Sequence, residues 1–274
     1  MEIVAEKATG KTAEKVIGKF TEKELGKAPE KVIEIRNLTK LYPNGRGIND
    51  INLDIYRGEI FGFLGPNGAG KTTAMKVMTG LVKPTRGDVK IFGYSIVEEF
   101  EQAMAQVGCL IETAESYPYL SAGDNLKQLA RYYPGLDGKR VDEVLDLTGM
   151  FRYKQEKPKK FSLGMKQRLG LAAAILSRPQ VVILDEPLNG LDVEGMIAMR
   201  RLIQHLAEQE QTTFFISSHL IHDVELTCSR IGVIYNGTML NVDSTLNILR
   251  NYATLENYFV SEVERNGRIP GCAG

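Results

Sequence analysis

A glycine-rich octapeptide, Gly65-Pro66-Asn67-Gly68-Ala69-Gly70-Lys71-Thr72, separates a short apolar run, Glu59 to Leu64, from a stretch of helical character, Lys71 to Leu81. It fits the pattern G-x-x-x-x-G-K-[ST], whose mechanism needs a strand on one side and a helix on the other. The glycines let backbone N–H groups converge on phosphate oxygens, and the first turn of the helix adds the positive end of its dipole. Lys71 is placed to bridge the β- and γ-phosphates of a nucleotide, Thr72 to set its hydroxyl on Mg²⁺, and Thr73 to lie in the same turn. A chain with this loop is committed to an α/β arrangement around a buried sheet.

Two further runs agree with that commitment. Val181 to Leu184 and Phe214 to Ile216 are short and continuously apolar, as strands buried on both faces are. The first ends in Asp185-Glu186. Alternation along a strand would send these two carboxylates in opposite senses and suit them to different tasks: Asp185 to hold Mg²⁺, Glu186 to act as the base toward an attacking water. The second run delivers His219 to the same edge, where open α/β sheets place their ligands. His222 lies nearby, but no Cys or further His stands at ligand spacing, which argues against a metal held by these imidazoles.

The rest of the 274 residues divides by pattern. Three octads stand in register over residues 10–33, GKTAEKVI, GKFTEKEL and GKAPEKVI; a period of eight with a glycine in each copy gives no fixed helical face, so residues 1–31 are expected to form a mobile tail rather than a docking segment. Val32 to Ile35, and Ile51, Leu53 and Ile55 in alternation, read as strands. Val97, Phe100, Met104 and Val107 are spaced as one face of a helix, and a mostly helical region is expected from about residue 116 to 177. Met196, Met199, Leu202, Ile203 and Leu206 mark an amphipathic helix, with both methionines in the core. Asn236-Gly237 signals a hairpin. Residues 261–274 are expected to form a C-terminal tail.

Charge and cysteine content exclude several functions. With 34 Lys plus Arg against 34 Asp plus Glu, there is no broad field for a nucleic acid, and no such partner is expected. No apolar run approaches the ~18 residues of a membrane span, so a membrane role requires another subunit to cross the bilayer. Cys109, Cys228 and Cys272 are too few and too scattered for a disulfide framework or a zinc cluster.

Taken together, these residues resemble the ATP-binding cassette (ABC) ATPases over about residues 32–260. Phe161-Ser162-Leu163-Gly164-Met165-Lys166-Gln167-Arg168 is similar to that family's signature motif, with Leu163 and Met165 where Gly and Gln are usual. The resemblance implies a P-loop NTPase fold, with a RecA-like core, an antiparallel β subdomain near its start and an inserted helical subdomain. It also implies that Tyr42 stacks on adenine and that Ser162 and Gly164 touch the γ-phosphate of ATP held by the other member of a homodimer. Asn189-Gly190-Leu191-Asp192 is similar to the loop that couples the two sites, and His219 to the histidine that reports on the γ-phosphate.

One departure narrows the resemblance. Most of the family has Gln between the metal and the membrane partner, whereas this chain has Glu112, as the bacitracin-resistance and lantibiotic-immunity exporters do. An ionised Glu112 can bind Mg²⁺ or its water but donates no hydrogen bond. The implied function is ATP hydrolysis powering export of a peptide antibiotic or similar amphiphile through a separate permease, at the cytoplasmic face of the plasma membrane. The rival reading is a soluble ABC ATPase of translation or DNA repair; such proteins usually carry two cassettes or a long coiled coil, and this chain has one cassette and no sustained heptads.

Overall fold

The computed structural model describes residues 29–112 and 115–266. The first two octads, the start of the third and Cys272 lie outside them, whereas the last residues of the third octad, from Lys31, open the first strand of the fold. Strands fall into two sheets. One is antiparallel, in the order β2 (Gly47–Tyr56), β1 (Lys31–Leu41), β4 (Arg86–Ile91), β5 (Tyr94–Ser95). The other runs β10 (Thr238–Ser244), β9 (Arg230–Tyr235), β3 (Ile60–Leu64), β8 (Thr213–Ser218), β7 (Val181–Asp185), β6 (Val107–Leu110), and is parallel except for the β9–β10 hairpin. This is the α/β P-loop fold with its antiparallel sheet, as expected.

Strand alternation divides the interior in two. Phe61, Phe63, Val181, Ile183 and Phe215 face a core shared with the antiparallel sheet and with α1 (Lys71–Met78). Ile60, Leu64, Val182, Leu184, Phe214 and Ile216 face the opposite core. That second core takes in α3 (Ala122–Ala130), α4 (Gly138–Leu147), α5 (Leu163–Ala174) and α6 (Val193–Glu210). Both faces of the central strands are therefore buried, which is why their sequences read as unbroken apolar runs. Arg140 of α4, itself buried, donates to the carbonyls of Ile175 and Leu176 just past the end of α5, where a cation complements the helix dipole.

Several elements differ from expectation for identifiable reasons. β1 extends well past Ile35 because a bulge at Asn37, with φ 49°, absorbs the break in alternation; Asn52 and Asp50 accept its backbone and side-chain N–H groups. α1 stops at Met78 rather than Leu81, since Gly80 turns left-handed after it. The helix read across Val97 to Val107 is only α2 (Phe100–Met104), with Val97 and Phe100 exposed and Val107 opening β6. A strand edge following a short helix happened to reproduce helical spacing. Among the described residues the remaining α-helices are α7 (Ile221–Thr227), α8 (Thr245–Asn251) and α9 (Leu255–Arg265). α9 carries buried Glu262 and Val263, so the folded body continues past residue 260, where a tail was expected to follow.

Candidate active site at the carboxyl edge of the parallel sheet

β3 ends at Leu64, and the loop Gly65–Gly70 carries the chain into α1. Pro66, Asn67 and Gly68 are exposed, whereas Gly65 and Ala69 are buried. Gly70 is the cap residue of α1 at φ 107°, a conformation costly for any residue with a β-carbon, and such a carbon would also lie 2.6 Å from Ile48 Cγ2. No side chain caps α1 and no acidic residue lies in its first turn, so its leading N–H groups are left for an anion. The hairpin tip buttresses this loop: Asn236 and Gly237 both have positive φ, as a two-residue I′ turn requires, and the Gly237 amide donates to the Ala69 carbonyl at 2.9 Å.

Lys71 is 6% exposed and donates to the carbonyls of Gly65 at 2.7 Å and Pro66 at 3.2 Å. Its ammonium also stands 3.3 Å from Glu186 Oε1. The other oxygen of Glu186 meets His219 Nδ1 at 2.8 Å. Thr72 donates to Asp185 Oδ2 at 2.7 Å, and Thr73 follows it, half-buried, on α1. The edge thus gathers Lys71, Thr72, Asp185, Glu186 and His219 into one connected set.

The separation of the two carboxylates arises differently from the strand alternation expected. β7 ends at Asp185, and Glu186 turns out of it at φ 49°, the left-handed region. Each carboxylate then reaches the same edge with its own partners. Their common anchor is Ser217, which the sequence reading passed over: it donates to Asp185 Oδ1 at 2.5 Å and accepts the Glu186 amide at 3.0 Å. Only the register of β7 on β8, which pairs Asp185 with Ser217, reveals it.

Two expected residues lie around this set, and two others do not. Tyr42 sits just past β1 with the Lys40 ammonium 5.4 Å from its ring centroid. Glu112, two residues beyond β6 and at φ 62°, pairs with Lys76 of α1 at 2.6 Å. The hydrogen bond that Lys76 donates to Glu112, more than the bare charge of that carboxylate, raises the Lys76 ammonium above its ordinary range against the opposing effect of burial, and Tyr42 and Asp185 add to the rise. Ser162 and Gly164 stand apart: among the described residues no hydrogen bond or ion pair joins them to the phosphate loop. Ser162 is exposed and caps its own helix, α5, accepting the Met165 amide at 3.3 Å.

The donor set can be tested against Mg²⁺. Thr72 and Asp185 offer a hydroxyl and a carboxylate already in contact, hard oxygen donors of the kind that ion takes.

The model of the ABC transporter family matches residues 48–189, from β2 through the phosphate loop and Asp185-Glu186 to Asn189. The chain belongs to the ABC transporter family. It is 40% identical over 209 residues to the bacitracin transport ATP-binding protein BcrA of Bacillus licheniformis, covering 76% of this chain and 68% of that one. It is 37% identical over 209 residues to the lantibiotic transport ATP-binding protein SrtF of Streptococcus pyogenes, covering 76% and 89%. A solved structure of the cassette MJ0796, dimeric, in a post-hydrolysis state and bound to ADP and Pi, superposes with a TM-score of 0.71 at 26% identity, covering 78% of this chain and 98% of that one. As an ABC ATPase, the chain binds ATP and hydrolyses it. No helix among the described residues is long and apolar enough to cross a membrane.

Proposed function

We propose that the chain powers export of a peptide antibiotic or similar amphiphile through a separate permease, working as a homodimer on the cytoplasmic face of the plasma membrane. The carrying observation is the connected edge in which Lys71 and His219 hold opposite oxygens of Glu186 while Thr72 and Ser217 hold those of Asp185. Similarity to BcrA and SrtF supports the substrate class, and Glu112 at the position expected to face the membrane partner agrees with it. The ATPase domain, expected over residues 32–260, is taken to run on through α9 to Arg265, with residues 116–177 as its helical subdomain.

In this reading the amides of the loop Gly65, Pro66, Asn67, Gly68, Ala69 and Gly70 and the first turn of α1 receive the β- and γ-phosphates, while Tyr42 stacks on the adenine. Lys71 exchanges its loop carbonyls for phosphate oxygens, whose charge it matches better. Thr72 and Asp185 hold Mg²⁺, with Glu112 within its surroundings; bound there, the ion would neutralise charge on the triphosphate. Glu186 accepts the proton of the attacking water, and His219, hydrogen-bonded to it, keeps its carboxylate aimed. Ser162 and Gly164 come from the second copy and offer the start of α5 to the γ-phosphate.

Expression with candidate permeases from neighbouring genes tests this. Co-purification with one of them, and ATPase activity stimulated by a peptide antibiotic in the reconstituted complex, is the expected result. An ATPase that neither binds nor responds to any such membrane protein would refute the exporter reading while leaving the hydrolytic site untouched.

A further inference from the structure

Three carboxylates stand at the nucleotide edge, and the phosphate-binding motifs supply partners for two of them. Glu186 has Lys71 and His219; Asp185 has Thr72 and Ser217. The third, Glu112, is neutralised by a residue outside every motif: Lys76 Nζ meets Glu112 Oε1 at 2.6 Å. Lys76 lies four residues after Thr72, one helical turn along the same face of α1. Leu110 of β6 pairs with Leu184 of β7, so Glu112 and Asp185 project from adjacent strand ends. An ion pair this exposed, with side chains 29% and 61% accessible, contributes little to folding stability on average. Its effect must lie in the local charge that a triphosphate meets.

We propose that Lys76 is a positioning residue for the nucleotide site, holding and neutralising the Glu112 carboxylate so that a glutamate can stand where it faces the triphosphate and its metal. This rests on the reading of Glu112 and the phosphate loop given above. The two partners are unequal. Glu112 is tied to a paired strand end two residues away, and its left-handed backbone narrows where its carboxylate can go. The Lys76 ammonium rides on a flexible four-carbon stem, and once released it swings into water and is screened. Removing Lys76 therefore leaves an unpaired negative charge, anchored at its backbone, beside an anionic ligand, whereas removing Glu112 leaves a positive one that an anionic ligand does not repel.

The test is calorimetric affinity for ATP with Mg²⁺ in the full chain, for Lys76→Met, Lys76→Arg, Glu112→Gln and Lys76→Met combined with Glu112→Gln. Lys76→Met is expected to weaken binding about ten-fold at low salt, while Lys76→Arg, which keeps the charge, stays within about two-fold of wild type. In the Glu112→Gln background, Lys76→Met should cost no more than about two-fold, because the charge it compensates is gone. Unchanged affinity in Lys76→Met overturns the inference, as does an equal loss in both backgrounds, which would mean that Lys76 acts on the nucleotide directly. Lys71→Ala serves as the control. If it abolishes binding while Lys76→Met has no effect, only the role of Lys76 falls; if it binds ATP as wild type does, the reading of the site falls and this inference with it.

Discussion

The starts of α1 and α5 are both expected to meet phosphate, and they are built in opposite ways. α1 begins at a left-handed glycine with no side-chain cap, so its amides are free, and around it the chain assembles a cation, two carboxylates, a hydroxyl and an imidazole. α5 begins at Ser162, which caps its own helix, and the residues next to it bring no catalytic group. In the proposed reading, one helix start carries the reacting groups, whereas the other serves as half of a site. A single chain thus holds the chemistry at one end and, in the proposed dimer, completes its partner's site with the other.

The strongest way to break this contrast is at Glu186. Glu186→Gln keeps the shape and can still hydrogen-bond, but it cannot take a proton at neutral pH. Steady-state ATPase activity should fall by about 10²-fold or more, the usual worth of a general base, with ATP affinity retained. Turnover near wild type would remove Glu186 from that role.

The two halves can be separated by mixing variants. Ser162→Asp keeps a good N-cap for α5 while placing a negative charge against the incoming phosphate. Lys71→Ala disables the opposite half. Each alone should be nearly inactive, and an equal mixture should recover up to about a quarter of wild-type turnover, the share of intact sites under random pairing of two-fold dimers. No recovery in a proven mixed dimer would mean that both residues serve the same site within one chain.

How much of this could be read from the sequence follows from where the meaning of each residue resides. The phosphate loop is legible because its chemistry is local: the glycines, Lys71 and Thr72 act within eight consecutive positions. The central strands are legible because burial on both faces leaves an apolar run. Ser217 and Lys76 are not, since a serine in a strand and a lysine in a helix are ordinary until register and packing set them against Asp185 and Glu112. The false helix from Val97 to Val107 has the opposite cause: four apolar residues at helical spacing, in a segment where packing gave them no common face. The turn at Glu186 is hidden as well, because only the path of the folded backbone shows that it leaves the strand.

Ser217 yields a prediction of intermediate size. Ser217→Ala removes a hydrogen bond to Asp185 and the acceptor for the Glu186 amide, at a position with no exposure to water. Leaving those groups unsatisfied should cost about 1–3 kcal/mol of stability. A loosened Asp185-Glu186 pair should also lower kcat by roughly ten-fold, because small misplacements of reacting groups are costly. Normal kcat in a destabilised variant would make Ser217 a purely structural residue.

The smallest effect concerns the seam where the two regions meet inside one chain. Leu163, in place of the glycine usual in the signature, packs over Gly190, and Gly164 lies against Leu191. The segment Asn189 to Leu191 is tied back to the turn that follows β7, since the Asn189 amide donates to the Glu186 carbonyl at 3.1 Å. Gly190 has φ 74°, and a β-carbon there would collide with the Leu163 side chain. Gly190→Ala therefore carries two penalties, about 1–2 kcal/mol for the left-handed backbone and a further steric cost against Leu163. Adding Leu163→Ala should relieve only the second, so that urea unfolding of the double variant falls between Gly190→Ala and wild type. If Leu163→Ala gives no relief, the leucine yields freely, and the signature segment is not braced against the loop that follows Glu186.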